Sequence, residues 1–457
     1  MMSLQLLNKM LKYLLISFLF LSPLISCQSH RSDDSQKDQA REISDDSLMT
    51  LVQYQTFQYF WDGAEPNSGA ARERIHMDGV YPQNDQNVVT SGGTGFGLMA
   101  ILVGIERGFI TREQAVGRYQ KLFDFLASAD RFHGAWPHWM NGETGKVKPF
   151  SSKDDGGDIV ETSFLAQGLV SVREYFKNGN QEERELAAQA DELWQGIEWD
   201  WYTGGPETAI YWHWSPNYGW EMNFPIKGYN ECLITYVMAA SSPTHPVDTA
   251  VYHQGWARNG GIVNNPEHDQ YGYHLPLQHN GHQQYGGPLF WAHYSYLGLD
   301  PRTLEDRYAS YWLNNVNHTM INHRYCVENP ENWEGYGENT WGLTSSYSPD
   351  GYAGHSPKRD LGVITPTAAL SSFPYAPKES RWAMRHFYFD LKDKLWGDYG
   401  FYDAYSKAKD WFPKRYLAID QGPIPIMIEN HRTGFLWDLF MGASDVQQGL
   451  KRLNFTY

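Results

Sequence analysis

Cysteine is scarce. The 457-residue chain holds three, Cys27, Cys232 and Cys326. Three thiols cannot build a disulfide framework, so a fold of this length must rest on its hydrophobic core. Cys232 and Cys326 lie in apolar helical patterns and are expected as buried free thiols. Long apolar runs are equally few. The run LLISFLFLSPLI is too short for a comfortable membrane span and follows Lys9 and Lys12, which reads as a secretory signal. Cations are in deficit, with 37 Lys and Arg against 53 Asp and Glu and a net charge of −16. Such a surface excludes nucleic acid and polyanionic substrates as partners. There is no H-E-x-x-H, G-x-S-x-G, Walker or dinucleotide-binding motif. That absence leaves acid/base carboxylate chemistry, with no cofactor and no metal expected.

The signal ends at Leu24-Ile25-Ser26-Cys27, which resembles a bacterial lipobox. The resemblance implies cleavage before Cys27 and a lipid anchor on its thiol. Residues 28–45 are polar and read as a flexible tether. The chain therefore divides into a signal peptide (1–26), a tether (27–45) and one domain (46–457), exported and held at the periplasmic or outer membrane face of a Gram-negative cell. No second linker is visible. A monomer is expected.

Aromatic residues are abundant, with 18 Trp and 30 Tyr. Many sit in loops, as in Trp136-Pro137-His138-Trp139 and Tyr211-Trp212-His213-Trp214. Trp and Tyr pair apolar faces with polar edges, which suits stacking on sugar rings. Trp136, Trp139 and Trp212 are candidates for that role.

Two kinds of helical segment alternate. One is amphipathic and charged: Ser47–Trp61, Thr111–Ala129, Glu183–Trp201, His245–Arg258, Arg302–Cys326 and Lys378–Trp396. The other is apolar on most sides: Gly93–Ile105, Glu161–Val172, Glu231–Ala240, Pro288–Leu297, Thr365–Phe373 and Gly434–Met441. A helix apolar all round is buried, and one with a single apolar stripe covers it. Six of each predict an all-α (α/α)6 barrel, its long loops forming a functional rim at one end.

Carboxylates gather where loops enter the buried helices. Asp154, Asp155, Asp158 and Glu161 cluster in DDGGDIVETSFLAQG, and Asp158 and Glu161 share a helix face. Glu231 opens an apolar helix, a poor place for a charge unless that end meets a polar cavity. Asp420 precedes a Gly422-Pro423 turn. Arg72 and Arg74, His282 and Gln283, and Glu429, His431 and Arg432 occupy similar junctions, and Arg72, His282, Glu429 and Arg432 join Asp154 as candidate sugar contacts.

The runs FQYFWDGAEPNSGAARER (57–74), SGGTGFGLMAI (91–101), DGGDIVETSFLAQGL (155–169), YNECLITYVMAASSPTHP (229–246), GGPLFWAHYSYLGLDPR (286–302) and AIDQGPIPIMIENHRTGFLWDLFM (418–441) resemble the bacterial glucoamylase-like proteins of glycoside hydrolase family 144. The resemblance covers the whole mature domain. It implies β-1,2-glucan hydrolysis with inversion on an (α/α)6 toroid, with Asp158, Glu161 and Glu231 as essential carboxylates, Asp154 nearby and Asp420 a further acid. On this basis Glu231 is expected as general acid, its apolar helix raising its pKa, and Asp420 as base, with Asp158 as the alternative. Endo and exo cleavage with release of sophorose both stay open. The rivals are a glycan-binding lipoprotein without hydrolysis and a glucosidase or lyase acting on another glycan.

Overall fold

Glycine lets the two longest buried helices lie against each other. In the computed structural model, which describes residues 43–81 and 85–457, helix Ser91–Glu106 is buried from Ser91 to Gly104. It packs on Ile159–Phe176, itself buried from Ile159 to Val172. A Cβ on Gly95 would stand 2.2 Å from the Phe164 carbonyl oxygen, and one on Gly168 would stand 2.5 Å from that of Gly95. Each mid-helix glycine costs up to about 1 kcal/mol relative to alanine. Backbone-to-backbone contact offsets that cost here, because a side chain at either position would force the helices apart.

Charged helices cover this apolar pair. Arg112–Ser128 buries one stripe, Ala115, Val116, Tyr119, Leu122, Phe123 and Leu126, and opens on a Thr111/Gln114 capping box. Gln181–Gln195 does the same behind Asn180 and Glu183. The two expected classes of helix are thus present, and the chain is predominantly helical. Met49–Tyr457 forms one compact unit, and Cys232 and Cys326 are buried free thiols within it. Among the described residues no helix is long and apolar enough to cross a membrane. The signal, the lipobox Cys27 and most of the tether lie outside the described residues.

Several elements differ from expectation. Glu231 and Cys232 form a turn, and the helix proper is Leu233–Ser241. Pro288–Leu297 is two 3-10 turns, Leu289–Ala292 and Tyr294–Tyr296. Thr365–Phe373 shortens to Pro366–Leu370, and His245–Arg258 contains a π-helical turn, Val251–Trp256. The helix expected to start at Arg302 is Tyr311–Glu328. The last buried helix is not Gly434–Met441 but Pro423–Thr433, buried from Pro423 to Asn430. Pro423 and Pro425 look like a turn in sequence, yet proline in the first helical turn removes only N–H groups that lack an intrahelical acceptor. Gly434, at φ 75°, ends that helix, and Phe435–Met441 follows it.

The strands are two to four residues long and lie in the loops that feed the buried helices. Val88–Thr90 runs into Ser91–Glu106 and pairs with Trp139–Asn141. Gly157–Asp158 runs into Ile159–Phe176 and pairs with His213–Trp214, setting Asp158 opposite His213. Arg74–His76 pairs with Arg415–Leu417, which runs into Ala418–Gln421. A Cβ on Gly93 would stand 2.6 Å from Ala418 Cβ, so these two helix starts touch. The N-terminal ends of buried helices therefore meet at one end of the molecule.

Two glycines test the packing argument. Gly95→Ala should destabilise the protein by about 1–3 kcal/mol in urea unfolding, because the added methyl cannot be placed. Gly117→Ala, exposed in Arg112–Ser128 with nothing within 4 Å of its Cβ position, should stabilise it by about 0.4–1 kcal/mol.

Candidate active site

Asp158 organises the site from beneath. It is the N-cap of Ile159–Phe176, and its Oδ1 accepts the Val160 and Glu161 N–H groups at 3.0 and 2.9 Å. Its Oδ2 accepts the Trp212 indole N–H at 3.2 Å and meets His138 Nδ1 at 3.0 Å. Burial alone would raise its pKa, but the His138 bond, nearby His213 and the backbone donors hold it below the usual carboxylate range. His138 responds in the opposite sense. Burial works against its charge, yet Glu161 and the Asp158 bond lift it to about 10, so it is an imidazolium at neutral pH.

Glu161, in the first turn of the same helix, points across to Ser91–Glu106. Its Oε2 accepts the Gly92 N–H at 2.9 Å and the Thr90 hydroxyl at 3.3 Å. Glycine at 92 leaves room for this contact, because a Cβ there would lie 2.3 Å from that oxygen and displace it. Burial and the charges of Asp158 and Glu73 outweigh His138 and push the Glu161 pKa to about 7.

Glu231 sits where two cavities meet. One, of about 880 Å³, is lined by Glu73, Arg74, His138, Trp139, Glu161, Tyr347 and Tyr352 among others. The other, of about 450 Å³, is lined by Phe224, Lys227, Asn280, His282 and Arg359 among others. Trp212, Glu231 and Phe290 belong to both, so the two form a groove with Glu231 in its middle. Ser295 donates its hydroxyl to the Glu231 carbonyl, which fixes the turn. Burial lifts the Glu231 carboxyl to about 7, with Glu161 and Asp158 adding to it. Groups that titrate near neutrality can both give and take protons.

The structure brings several expected residues together here. Glu161 and Glu231 face the groove, and Trp139, Trp212 and His282 line it. Trp212 stacks on Phe224, with ring centroids 5.1 Å apart and planes 3° from parallel. Asp158 and Asp154 sit behind the groove wall, 0 % and 4 % exposed. Asp154 Oδ1 lies 3.3 Å from His213 Nδ1. Donor atoms of His138, Asp154 and Asp158 fall within 4.8 Å of one another, a spacing that a metal could use, but apart from Asp154 Oδ2 these carboxylate oxygens already face His138, His213, Trp212 or backbone donors. Asp420 is 1 % exposed, below the groove floor that Leu417 and Ile419 line.

Four expected sugar contacts lie elsewhere. Trp136 is fully buried, its indole N–H given to the Leu126 carbonyl at 3.0 Å, because the covering helix needs that ring as packing. Arg72 gives its guanidinium to the Gln86 carbonyl, and beyond a bend at Glu73 it is Arg74 of this pair that lines the groove. Glu429 pairs with Arg107 through Oε1 and Oε2 at 2.7 and 2.5 Å, and Arg432 binds Gln53 and Thr50. Arg107 caps the C-terminal end of Ser91–Glu106, so Glu429 and Arg432 lie at the opposite end from the groove. Sequence reading missed His138, His213, Glu73, Asp403, Tyr347 and Tyr352. The WPHW and YWHW loops carry the signal for the two histidines, each set between tryptophans whose faces suit stacking on sugar.

The Asp158–His138 contact has a direct readout. Asp158→Asn keeps a good N-cap residue, so the fold should persist. Removing the charge should lower the His138 pKa from about 10, seen by NMR titration of the ring. An unchanged titration would assign the imidazolium to Glu161 alone.

Known proteins resemble this chain over most of its length. A family model described as "Putative glucoamylase" matches residues 223–444. An endo-β-1,2-glucanase from Chitinophaga pinensis, solved with sophorotriose and glucose, is 61% identical; the match covers 91% of this chain and 99% of that one, with a TM-score of 0.89. A β-1,2-glucanase structure from Parabacteroides distasonis is 42% identical over 90% of this chain and 60% of that one, at a TM-score of 0.84. An exo-β-1,2-glucooligosaccharide sophorohydrolase (non-reducing end) from the same species is 43% identical over 446 residues, which is 93% of this chain, and the chain spans 60% of the length of that curated relative. The chain belongs to the glucoamylase-like family that its motifs resemble, glycoside hydrolase family 144.

Proposed function

We propose that the protein hydrolyses β-1,2-glucan with inversion, and that it cuts within the chain. The observation that carries this reading is Glu231, a carboxyl with a pKa near 7 at the junction of two sugar-sized cavities. Space on both sides of the proton donor lets a glucan continue past the scissile bond in each direction. The similarity to the Chitinophaga endo-glucanase, at 61% identity against 43% for the sophorohydrolase, supports endo action.

Glu231 is the general acid in this reading. It gives its proton to the glycosidic oxygen as that bond breaks. An inverting enzyme places a base about 6.5–9.5 Å away, leaving room for the attacking water. Asp420 is that base. Because it lies just below the groove floor, it takes the proton through a water or a substrate hydroxyl. Glu161 borders the reacting sugar, and Asp158 holds His138 and Trp212 against it. The alternation of buried and covering helices supports an (α/α)6 barrel as the frame, with the groove across the end where the buried helices begin. The segment before residue 28 supports export with a lipid anchor at Cys27.

A general acid works only while protonated. With Glu231 raised to about 7, kcat/KM should fall as pH rises through about 7. Glu231→Gln should lower kcat about 10²–10⁴-fold in a reducing-sugar assay on linear β-1,2-glucan while leaving the thermal unfolding midpoint in place. Wild-type digests followed in time should show mixed oligomers early; sophorose as the sole early product would overturn the endo reading. Cys27→Ser should move the activity from the membrane fraction to the soluble fraction of cells.

A further inference from the structure

Beneath the groove floor two buried carboxyls meet. Asp403 is 2 % exposed and Asp420 1 %, and their side chains lie within hydrogen-bonding reach of each other. The Tyr347 N–H donates to Asp403 Oδ2 at 2.7 Å, and the Asp403 N–H donates to the Arg415 carbonyl at 2.9 Å. Asp403 is thus held by two strands, Ser345–Ser348 and Arg415–Leu417. The remaining oxygen of Asp403 and both oxygens of Asp420 receive no donor from the surrounding residues. The ionisable groups facing the pair are Glu73 and the phenols of Tyr294, Tyr347 and Tyr352, none of which brings a positive charge.

An isolated carboxyl in such a place would stay neutral, since burial without a cation or a donor disfavours its anion. A neutral Asp420 could not serve as a base. Two carboxyls in contact behave differently. They cannot both ionise easily, but a single shared proton stabilises one negative charge spread over the pair. The three donorless oxygens are the atoms that such a proton would serve.

We propose that Asp403 is a positioning residue for the base: it shares one proton with Asp420, so that the buried pair carries a single negative charge at neutral pH. This inference rests on the reading of Asp420 as the base. Burial pushes Asp403 up to about 6 and Asp420 well above the usual carboxylate range, the latter reinforced by the Asp403 charge, which fits a pair that keeps one of its two protons at pH 7. In turnover the monoanionic pair accepts a second proton from the attacking water, whose oxygen bonds to the anomeric carbon. The bond from that carbon to the leaving oxygen breaks, and that oxygen takes the Glu231 proton. Afterwards the pair returns one proton to solvent and Glu231 gains one, so each cycle consumes one water.

Asp403→Asn separates this role from a structural one. Asparagine still offers an oxygen to the Tyr347 N–H, but it has no acidic proton to share. In a carboxyl dyad the first ionisation falls below the value of a single such group and the second above it. Losing the partner should therefore move the acid limb of kcat/KM upward by about one pH unit. At pH 7 kcat should fall by up to about tenfold, and the pH optimum should narrow because Glu231 must still be protonated, with KM and the unfolding midpoint little changed. An acid limb that stays in place or moves down overturns the inference, even if kcat falls. Asp420→Asn is measured alongside. If it retains turnover, the base assignment fails; if it is inactive while Asp403→Asn titrates like wild type, only the role of Asp403 fails.

Discussion

The Asp158 carboxylate, buried at a helix N-terminus and surrounded by four donors, is the constraint on which the site depends. A charge with no exposure is tolerable only when hydrogen bonds replace its lost water. Two of its donors are N–H groups in the first turn of Ile159–Phe176, those of Val160 and Glu161, so the carboxylate caps the helix start. The others come from His138 and Trp212, on loops about twenty residues before and fifty after it, and so tie those loops to the helix mouth. One ion therefore sets the direction of Glu161 and the position of an aromatic wall, and Glu161 and this ion together hold the charge on His138.

Around that ion the site is a ladder of acidities made by burial. Asp158 is kept ionised by its donors. Glu161 and Glu231, with fewer, are pushed to about 7. Asp403 and Asp420 have almost none and keep a proton between them. Five carboxyls at one end of a helical assembly thus differ in readiness to hold a proton, which is what acid/base cleavage of a glycosidic bond requires. At the other end Glu429, an equally buried acid, faces Arg107 and is held below the usual range, the Arg107 bond first among the contacts that outweigh burial. Its partner makes it a clasp between helices instead of a reagent.

Much of this was legible in the chain. The alternation of apolar and amphipathic segments marked most helices, because a 3.6-residue period with or without a polar face states which helix is covered and which covers. It failed where local chemistry is ambiguous. Pro423 and Pro425 read as a turn although proline is welcome in a first helical turn, and PLFWAHYSYL reads as one helix although it closes as two 3-10 turns. Glu161 and Glu231 were visible as charges in apolar helix starts. Asp403 was not, since nothing in Tyr402-Asp403-Ala404 distinguishes it from any loop aspartate.

The sequence by itself determined the class of chemistry and the family. The acidic surface, the absent cofactor motifs, the loop aromatics and the carboxylates at helix mouths are local facts, and composition and order carry them. Only the tertiary structure decided which of these residues serve the groove. Trp136 and Trp139 are three positions apart in one loop, yet one ring packs a helix and the other lines the groove. Glu429 and Glu231 both sit in apolar helical surroundings, yet one meets an arginine and the other a cavity. The physical reason is that burial and partners, not residue type, set whether a side chain is packing, an ion pair or a proton donor. Both depend on segments distant in sequence, brought together where Gly92, Gly93 and Gly95 let the helices touch.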